Sequence, residues 1–297
     1  MRRGWPRLMR LDSPTDRPRR LSGRGVERKS LDQIKMMRAA GLVVARGLAA
    51  MRAAVAPGVS TLELDALARE VLADAGAIGS FVGYQGYPAA ICASVNEQVV
   101  HGIPSASQVL REGDLLSLDF GAVVDGWHGD AAITVPVGAV APELTALSEA
   151  CHAALWAGIA AARPGGRLGY ISHAVQATVR VADRGPLGGQ GYGIVTEYGG
   201  HGIGTRMHMD PIVPNHGPTN SGPRLAAGMV LAIEPMITLG GPQTRELSDA
   251  WTVVTVDGSP AAHWEHTVAI LDDGPWVLTA EDGGRAKLGR RGSTHMW

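Results

Sequence analysis

Apolar residues recur at helical spacing from 31 to 55 (LDQIKMMRAAGLVVARGLAAMRAAV), which predicts an amphipathic helix with Ser30 as its N-cap. Pro57-Gly58 ends it. Ser60 followed by Glu63 has capping-box spacing, so a second helix is expected from there to about Ala75. Strand-like segments follow around 89–95 and 115–135. Two more helices are expected near 142–162 and 168–182, separated by Pro164-Gly165-Gly166. A glycine-rich strand-and-loop region covers 191–205, and further strands lie near 228–238 and 250–271. Both halves thus run helix, Pro-Gly break, helix, strands. Identity between the halves is negligible, but the repeated order places two αβ units face to face with a site between them. The mixture predicts an α+β domain over 31–278, with an antiparallel sheet and helices on one side, flanked by tails at 1–30 and 279–297.

Composition narrows the class. With 297 residues and 45% hydrophobic content, the chain can bury a sizeable core. A formal net charge of −1 excludes a general binder of nucleic acid or membrane. No apolar run reaches the roughly 18 residues of a membrane span. Cys92 and Cys151 are the only cysteines, which argues against a disulfide framework and makes a reducing cytoplasm the simplest compartment. The first 30 residues differ from the rest: ten Arg/Lys stand against Asp12, Asp16 and Glu27, with no apolar segment of the kind a secretory signal carries. A disordered basic tail or an over-extended translation start is the plain reading. A tether to an acidic partner such as ribosomal RNA, or an organelle transit peptide, are the alternatives.

The candidate chemistry sits on strands. Alternating residues flank Asp125-Gly126, a two-residue hairpin signal. With those two as the turn, Val124 pairs with Trp127 and Asp119 with Ala132. Asp130 then shares a face with Asp119 as its diagonal neighbour, with Cα atoms roughly 7–8 Å apart. Such a pair suits a cation, although hairpin ends also collect surface aspartates. Glycines surround His201 in YGGHGIG, which lets backbone pass close to a ligand or serves the loop alone. Glu234 ends the apolar run GMVLAIEP, and Glu265 opens another in WEHTVAI. Burying either without a partner costs several kcal/mol. Four strand-borne acids and one imidazole together suit two divalent ions in an oxygen-rich site. A phosphatase with such a site would want Arg or Lys beside its ligands, and only Arg206, near His208, qualifies.

Five segments in order, NEQVVHGIP (96–104), LDFGAVVDGWHGDAA (118–132), GGHGIGTRMH (199–208), IEPM (233–236) and WEHT (264–267), resemble the type I methionine aminopeptidases, metallopeptidases of the pita-bread fold. The resemblance runs from about Lys29 to about Leu278. It implies two pseudo-symmetric αβ halves around a dinuclear centre. Asp119 would hold one ion, Asp130 and Glu265 would bridge both, and His201 and Glu234 would complete the second. The ions would be Mn, Fe, Co or Zn. A hydroxide bridging them would attack the first peptide bond. His101 and His208 would bind the substrate's peptide unit and the developing oxyanion, and Glu234 would pass a proton to the leaving amine. Tyr84, Tyr87, Cys92 and Met207, with Trp251 nearby, would line the methionine pocket, Cys92 as a wall and not a nucleophile. Many relatives carry an aromatic residue in place of Met207 and often His in place of Gln85, which bears on pocket shape and leaves the catalytic set intact.

The implied activity is removal of the initiator methionine from nascent chains with a small second residue, in the cytoplasm, by a protein of a usually monomeric family. The long insertion of type II enzymes is absent, since Glu234 follows His208 closely. An X-Pro aminopeptidase or dipeptidase of the same fold usually carries a large N-terminal domain, and a non-catalytic binding protein typically loses metal ligands. Those are the two alternatives.

Overall fold

The computed structural model describes residues 25–182, 191–289 and 292–294. The basic stretch proposed as a ribosome tether falls mostly in 1–24, outside the described residues. The elements are helices α1 (Leu31–Ala54), α2 (Thr61–Asp74), α3 (Pro142–Ala161), α4 (Gly169–Ala182) and the short α5 (Arg285–Leu288). The strands in the first half are β1 (Ile78–Gly79), β2 (Ile91–Val95), β3 (Gln98–Val100), β4 (Leu115–Val124) and β5 (Trp127–Pro136). Those in the second are β6 (Gly193–Ile194), β7 (Gly200–Gly202), β8 (Met209–Val213), β9 (Val230–Ile233), β10 (Met236–Thr238), β11 (Thr244–Glu246), β12 (Val253–Thr255), β13 (Ala261–His263), β14 (Glu265–Leu271) and β15 (Gly274–Val277).

Both expected capping boxes form. The Ser30 and Ser60 side chains accept from the backbone of Gln33 and Glu63, whose side chains reach back to the cap N–H groups. The β4–β5 hairpin turns on Asp125-Gly126 with both residues at positive φ (+49° and +79°), the geometry a type I′ turn requires. Its register pairs Val124 with Trp127 and Asp119 with Ala132, as parity predicts.

The main sheet is antiparallel, ordered β1-β4-β5-β14-β9-β7-β8, with β2 also pairing β4 and β15 pairing β14. One face of β4 (Leu116, Leu118, Phe120, Ala122) joins Ile91 and Ala93 of β2 in a core shared with Val44, Leu48 and Met51 of α1 and Leu64 and Ala68 of α2. In the second half, Leu231, Ile233, Val268 and Ile270 pack with Leu155 and Ile159 of α3 and Ile171 of α4. Helix α1 lies so near the sheet that a Cβ on Gly129 would stand 2.7 Å from the Gly41 nitrogen. Two αβ halves thus share one sheet, and the opposite sheet face is left for polar side chains.

The halves match in local geometry. Gly58 and Leu110 are joined by backbone bonds (Gly58 N–H to Leu110 O, Leu110 N–H to Val59 O), and Gly165, Gly166 and Leu225 repeat that pair of bonds. From those leucines the chain runs through Gly113 and Gly228, at φ +92° and +91°, into β4 and β9 and on to Asp119 and Glu234.

Two tail boundaries shift. Lys29 is buried and its N–H donates to Gly228 O at 2.7 Å, so the packed domain begins before residue 30. Residues 279–297 are not wholly a loose tail. Thr279, Leu288 and Ser293 are buried, and the Arg38 guanidinium donates to the carbonyls of Val277, Leu278, Ala280 and Glu281. Leu278, Ala280 and Glu281 lie beyond the last strand, and their carbonyls accept from a side chain instead of a ladder.

Candidate metal centre

Backbone register assembles the site. Cys92 pairs with Asp119, Asp119 with Ala132, and Ala132 with Glu265, forming one cross-strand row. Directly opposed residues in an antiparallel sheet point to the same face. Asp130, two residues before Ala132, shares it. On the next strand His266 pairs with Ile233, and His201 pairs with Ala232, two residues before Glu234. All five sequence-expected ligands therefore emerge on the face opposite the helices. Pro235, which lacks an N–H, follows β9, and Trp264 separates β13 from β14. Glu234 and Glu265 sit at these two breaks. The Glu234 carbonyl is held by Asn215 Nδ2 at 3.0 Å.

The side chains converge. One ligand atom each from Asp130, His201 and Glu265 lie within 4.8 Å of one another, and the same holds for Glu234, His263 and Glu265. His201 Nδ1 lies 3.0 Å from Gly202 O. A carbonyl only accepts, so Nδ1 carries the proton and Nε2 bears a lone pair. That lone pair faces Glu234 Oε1 at 3.5 Å. Burial pushes the His201 pKa down to about 4, so the ring is neutral at pH 7 and the contact is not a salt bridge. Two acceptors facing each other at that distance repel unless a cation or proton lies between them.

The carboxylates carry the same signature. Burial, then the charges of Asp130 and Glu234, holds Asp119 well above the usual range. Asp130 is pushed up to about 7 by burial. Glu234 and Glu265 are raised by burial first and by the neighbouring acids second. Asp119 Oδ1, Asp130 Oδ1 and Glu265 Oε1 are buried without a hydrogen-bond partner. Among the described residues no Lys or Arg is paired with these four acids. Oxygen-rich ligands with spare lone pairs around one imidazole nitrogen fit hard or borderline divalent cations, which would return these acids to their ionised form.

A cavity opens over this cluster, with about 450 Å³ of empty space when the solvent at its mouth is included. It is lined by every residue the sequence singles out: Tyr84, Tyr87, Cys92, His101, Met207, His208 and Trp251 beside the five expected ligands. Phe81, Tyr87, Ala89, Cys92 and Met207 form one buried apolar cluster, with Ile103 and Trp251 against it. Tyr87 is fixed by its hydroxyl, which donates to Ile91 O and Gly102 O, and by edge contact with Trp251. Burial raises the Cys92 thiol well above its usual range, so it is a neutral wall and not a thiolate nucleophile. His101 is buried at φ +62°, a left-handed conformation rare for a non-glycine residue and typical of functional positions. Burial pushes its pKa down to about 4. His208 is likewise held neutral, by burial and then by the neighbouring His201, His101 and His128.

Sequence reasoning missed three lining residues: Phe81, Val100 and His263. His263 Nε2 lies 3.8 Å from Glu234 Oε2 and 3.9 Å from Glu265 Oε2 and has no hydrogen-bond partner. Parity with Glu265, two residues on, would have flagged it, but Trp264 interrupts the strand between them.

The metallopeptidase family M24 model matches residues 35–272. The chain is 58% identical over 261 residues to methionine aminopeptidase 1 of Mycobacterium tuberculosis, covering 88% of this chain and 97% of that one. A solved methionine aminopeptidase from Thermotoga maritima superposes with a TM-score of 0.82 at 39% identity, covering 86% of this chain and 99% of that one. A prolidase from Pyrococcus horikoshii, at 19% identity and TM-score 0.65 over 85% of this chain and 63% of its own, shares the fold alone.

Proposed function

The chain belongs to metallopeptidase family M24, and from that premise we propose that it is a type I methionine aminopeptidase of the pita-bread fold. It removes the N-terminal methionine from nascent proteins and peptides whose second residue is small. The observation that carries this reading is a juxtaposition. An apolar pocket bounded by Phe81, Tyr87, Cys92 and Met207 adjoins a cluster of acids and imidazoles on the same sheet face. A methionine side chain fills such a pocket while its peptide carbonyl lies over the polar cluster.

The donor set fits two divalent ions. Asp119 would hold one, His201 and Glu234 would hold the other, and Asp130 and Glu265 would serve both. Bound there, such ions would lower the pKa of a water and polarise the scissile carbonyl. The chain's own groups do the rest. His101 and His208, both neutral, supply hydrogen bonds to the peptide unit and the oxyanion without adding charge. Glu234, buried beside the leaving group, would pass a proton to the leaving amine. Tyr87, Cys92, Met207 and Trp251 shape the side-chain pocket. Among the described residues no helix is long and apolar enough to cross a membrane, and Cys92 and Cys151 are both free. These features suit a cytoplasmic enzyme acting on emerging chains.

The test is direct. Purified protein supplied with Mn(II), Co(II), Fe(II) or Zn(II) releases methionine from Met-Ala-Ser and leaves Xaa-Pro peptides intact. Absence of release with every metal overturns the reading, and cleavage of Xaa-Pro peptides points to the proline-directed branch of the fold.

A further inference from the structure

Tyr84 and His208 face each other at the cavity wall. The Tyr84 hydroxyl oxygen lies 2.8 Å from His208 Nδ1, with the ring centroids 5.3 Å apart. The other ring nitrogen, Nε2, is buried and has no hydrogen-bond partner. A neutral imidazole allows two arrangements at Nδ1. If the phenol donates, Nδ1 bears the lone pair and Nε2 carries N–H. If the phenol accepts, the ring presents a lone pair at Nε2 instead.

One feature selects the first arrangement. A phenol carries its proton at neutral pH, and among the described residues His208 Nδ1 is the acceptor that the Tyr84 hydroxyl reaches within hydrogen-bond distance. The phenolic proton therefore goes to Nδ1. The loop is built to hold this pose. Gly83, Gln85 and Gly86 all lie at positive φ (+75°, +51° and +92°), a strained turn that bonds Tyr84 N–H to Phe81 O and Tyr87 N–H to Tyr84 O, both at 2.9 Å.

We propose that Tyr84 is a positioning residue. Its hydroxyl donates to His208 Nδ1 and fixes His208 as the Nε2–H tautomer, so that the cavity offers a neutral donor to the substrate's carbonyl oxygen. The inference rests on the aminopeptidase reading for that last step and on geometry alone for the tautomer. Tyr84 thus acts on the reaction through His208, whereas Tyr87 touches the methionine pocket.

The experiment is nitrogen-15 NMR of histidine-labelled full-length protein, metal-free and loaded with diamagnetic Zn(II), with His208 assigned by the signal missing from His208→Asn. The expected result is a protonated Nε2 and an unprotonated Nδ1 in the parent. Tyr84→Phe keeps the ring and removes the donor. It is expected to populate both tautomers and to lower kcat on Met-Ala-Ser by about tenfold, with KM and bound zinc unchanged. A proton on Nδ1 in the parent overturns the proposal, as does a Phe variant with unaltered tautomer and kcat. A variant that changes only KM or thermal stability assigns Tyr84 a packing role and overturns it too. The tautomer is read without turnover, so a protein that releases no methionine refutes the proposed function and not the tautomer.

Discussion

The Thr267 hydroxyl accepts the backbone N–H of Asp130 at 3.0 Å and donates to the Asp130 carbonyl at 2.8 Å. The β5–β14 ladder itself pairs only Ala132 with Glu265 and Ala131 with His266. At Asp130 a side chain from the neighbouring strand therefore replaces the ladder and holds the backbone of a proposed bridging ligand. Thr267 is wholly buried, so neither bond is shared with water.

Thr267→Val preserves shape and removes both bonds. It leaves a buried N–H and a buried carbonyl unpaired, a loss of about 2–4 kcal/mol. Urea denaturation is expected to show this loss, and calorimetric titration to show weaker Mn(II) binding. Thr267→Ser retains both properties, and a Val variant with parental stability would show that water substitutes for the hydroxyl.

Metal removal changes the sign of the pH response above neutrality. Asp130, at about 7 when folded against about 3.9 unfolded, contributes stability that is full below pH 4 and lost as pH rises through 7. Asp119, Glu234 and Glu265 act in the same direction at higher pH. The buried histidines oppose them. His101 and His201, at about 4, and His263, at about 3, gain stability as pH rises to their unfolded value near 6.5 and nothing beyond it. Between pH 6.5 and 8 the metal-free protein is therefore expected to lose thermal stability as pH rises, and the gap to the Mn(II)-loaded protein to widen. Parallel melting curves across that window would contradict the metal-site assignment.

His263→Ala removes the imidazole on the far side of the Glu234 carboxylate from His201. Groups that orient metal ligands in this way typically contribute ten- to hundredfold in affinity, and a loss of about that size is expected in Mn(II) titrations. His263→Gln restores a donor of similar reach and should recover most of it. An unchanged affinity in the Ala variant would show that His263 does not orient the Glu234 carboxylate.

Helix α2 reaches the proposed methionine pocket through Asp65. Its Oδ1 accepts the N–H groups of Ala90 and Ile91 at 2.6 and 3.2 Å, while Oδ2 pairs with Arg69, whose guanidinium also donates to Pro88 O. Asp65→Ala strips the start of β2 of these acceptors. A loss of about 2 kcal/mol is expected, with KM for methionyl peptides rising more than kcat falls, because Cys92 and Tyr87 flank this segment. Peptide kinetics with an unchanged KM would uncouple α2 from the pocket.

The helices and the central hairpin were legible because their signals are local. Capping boxes at Ser30 and Ser60, the Asp125-Gly126 turn and period-2 alternation each constrain only a few neighbouring residues. Hairpin parity brought Asp119 to Asp130 without any family knowledge. It could not bring in His201, Glu234 and Glu265, because those contacts run between strands far apart in the chain. The resemblance supplied that step, and the register now explains it. The equivalence of Asp119 with Glu234 was hidden for a different reason. Leu110 and Leu225, and Gly113 and Gly228, share backbone geometry while the residues between them do not match. His263 and the three-residue strands β3 and β11 lacked a readable period. The segment after 278 misled because it is anchored by Arg38, some 240 residues away, a contact with no local trace.

The row Cys92–Asp119–Ala132–Glu265 has a consequence for how such a centre can vary. Its alignment is inherited from main-chain pairing, so side-chain substitutions in the surrounding helices act on it only weakly. Loss or gain of a single residue within β4 or β14 would turn that strand's acid toward the helices and remove one ligand from the face. Length, more than composition, is the quantity these strands must conserve, and the loops that join them are where insertions can be absorbed.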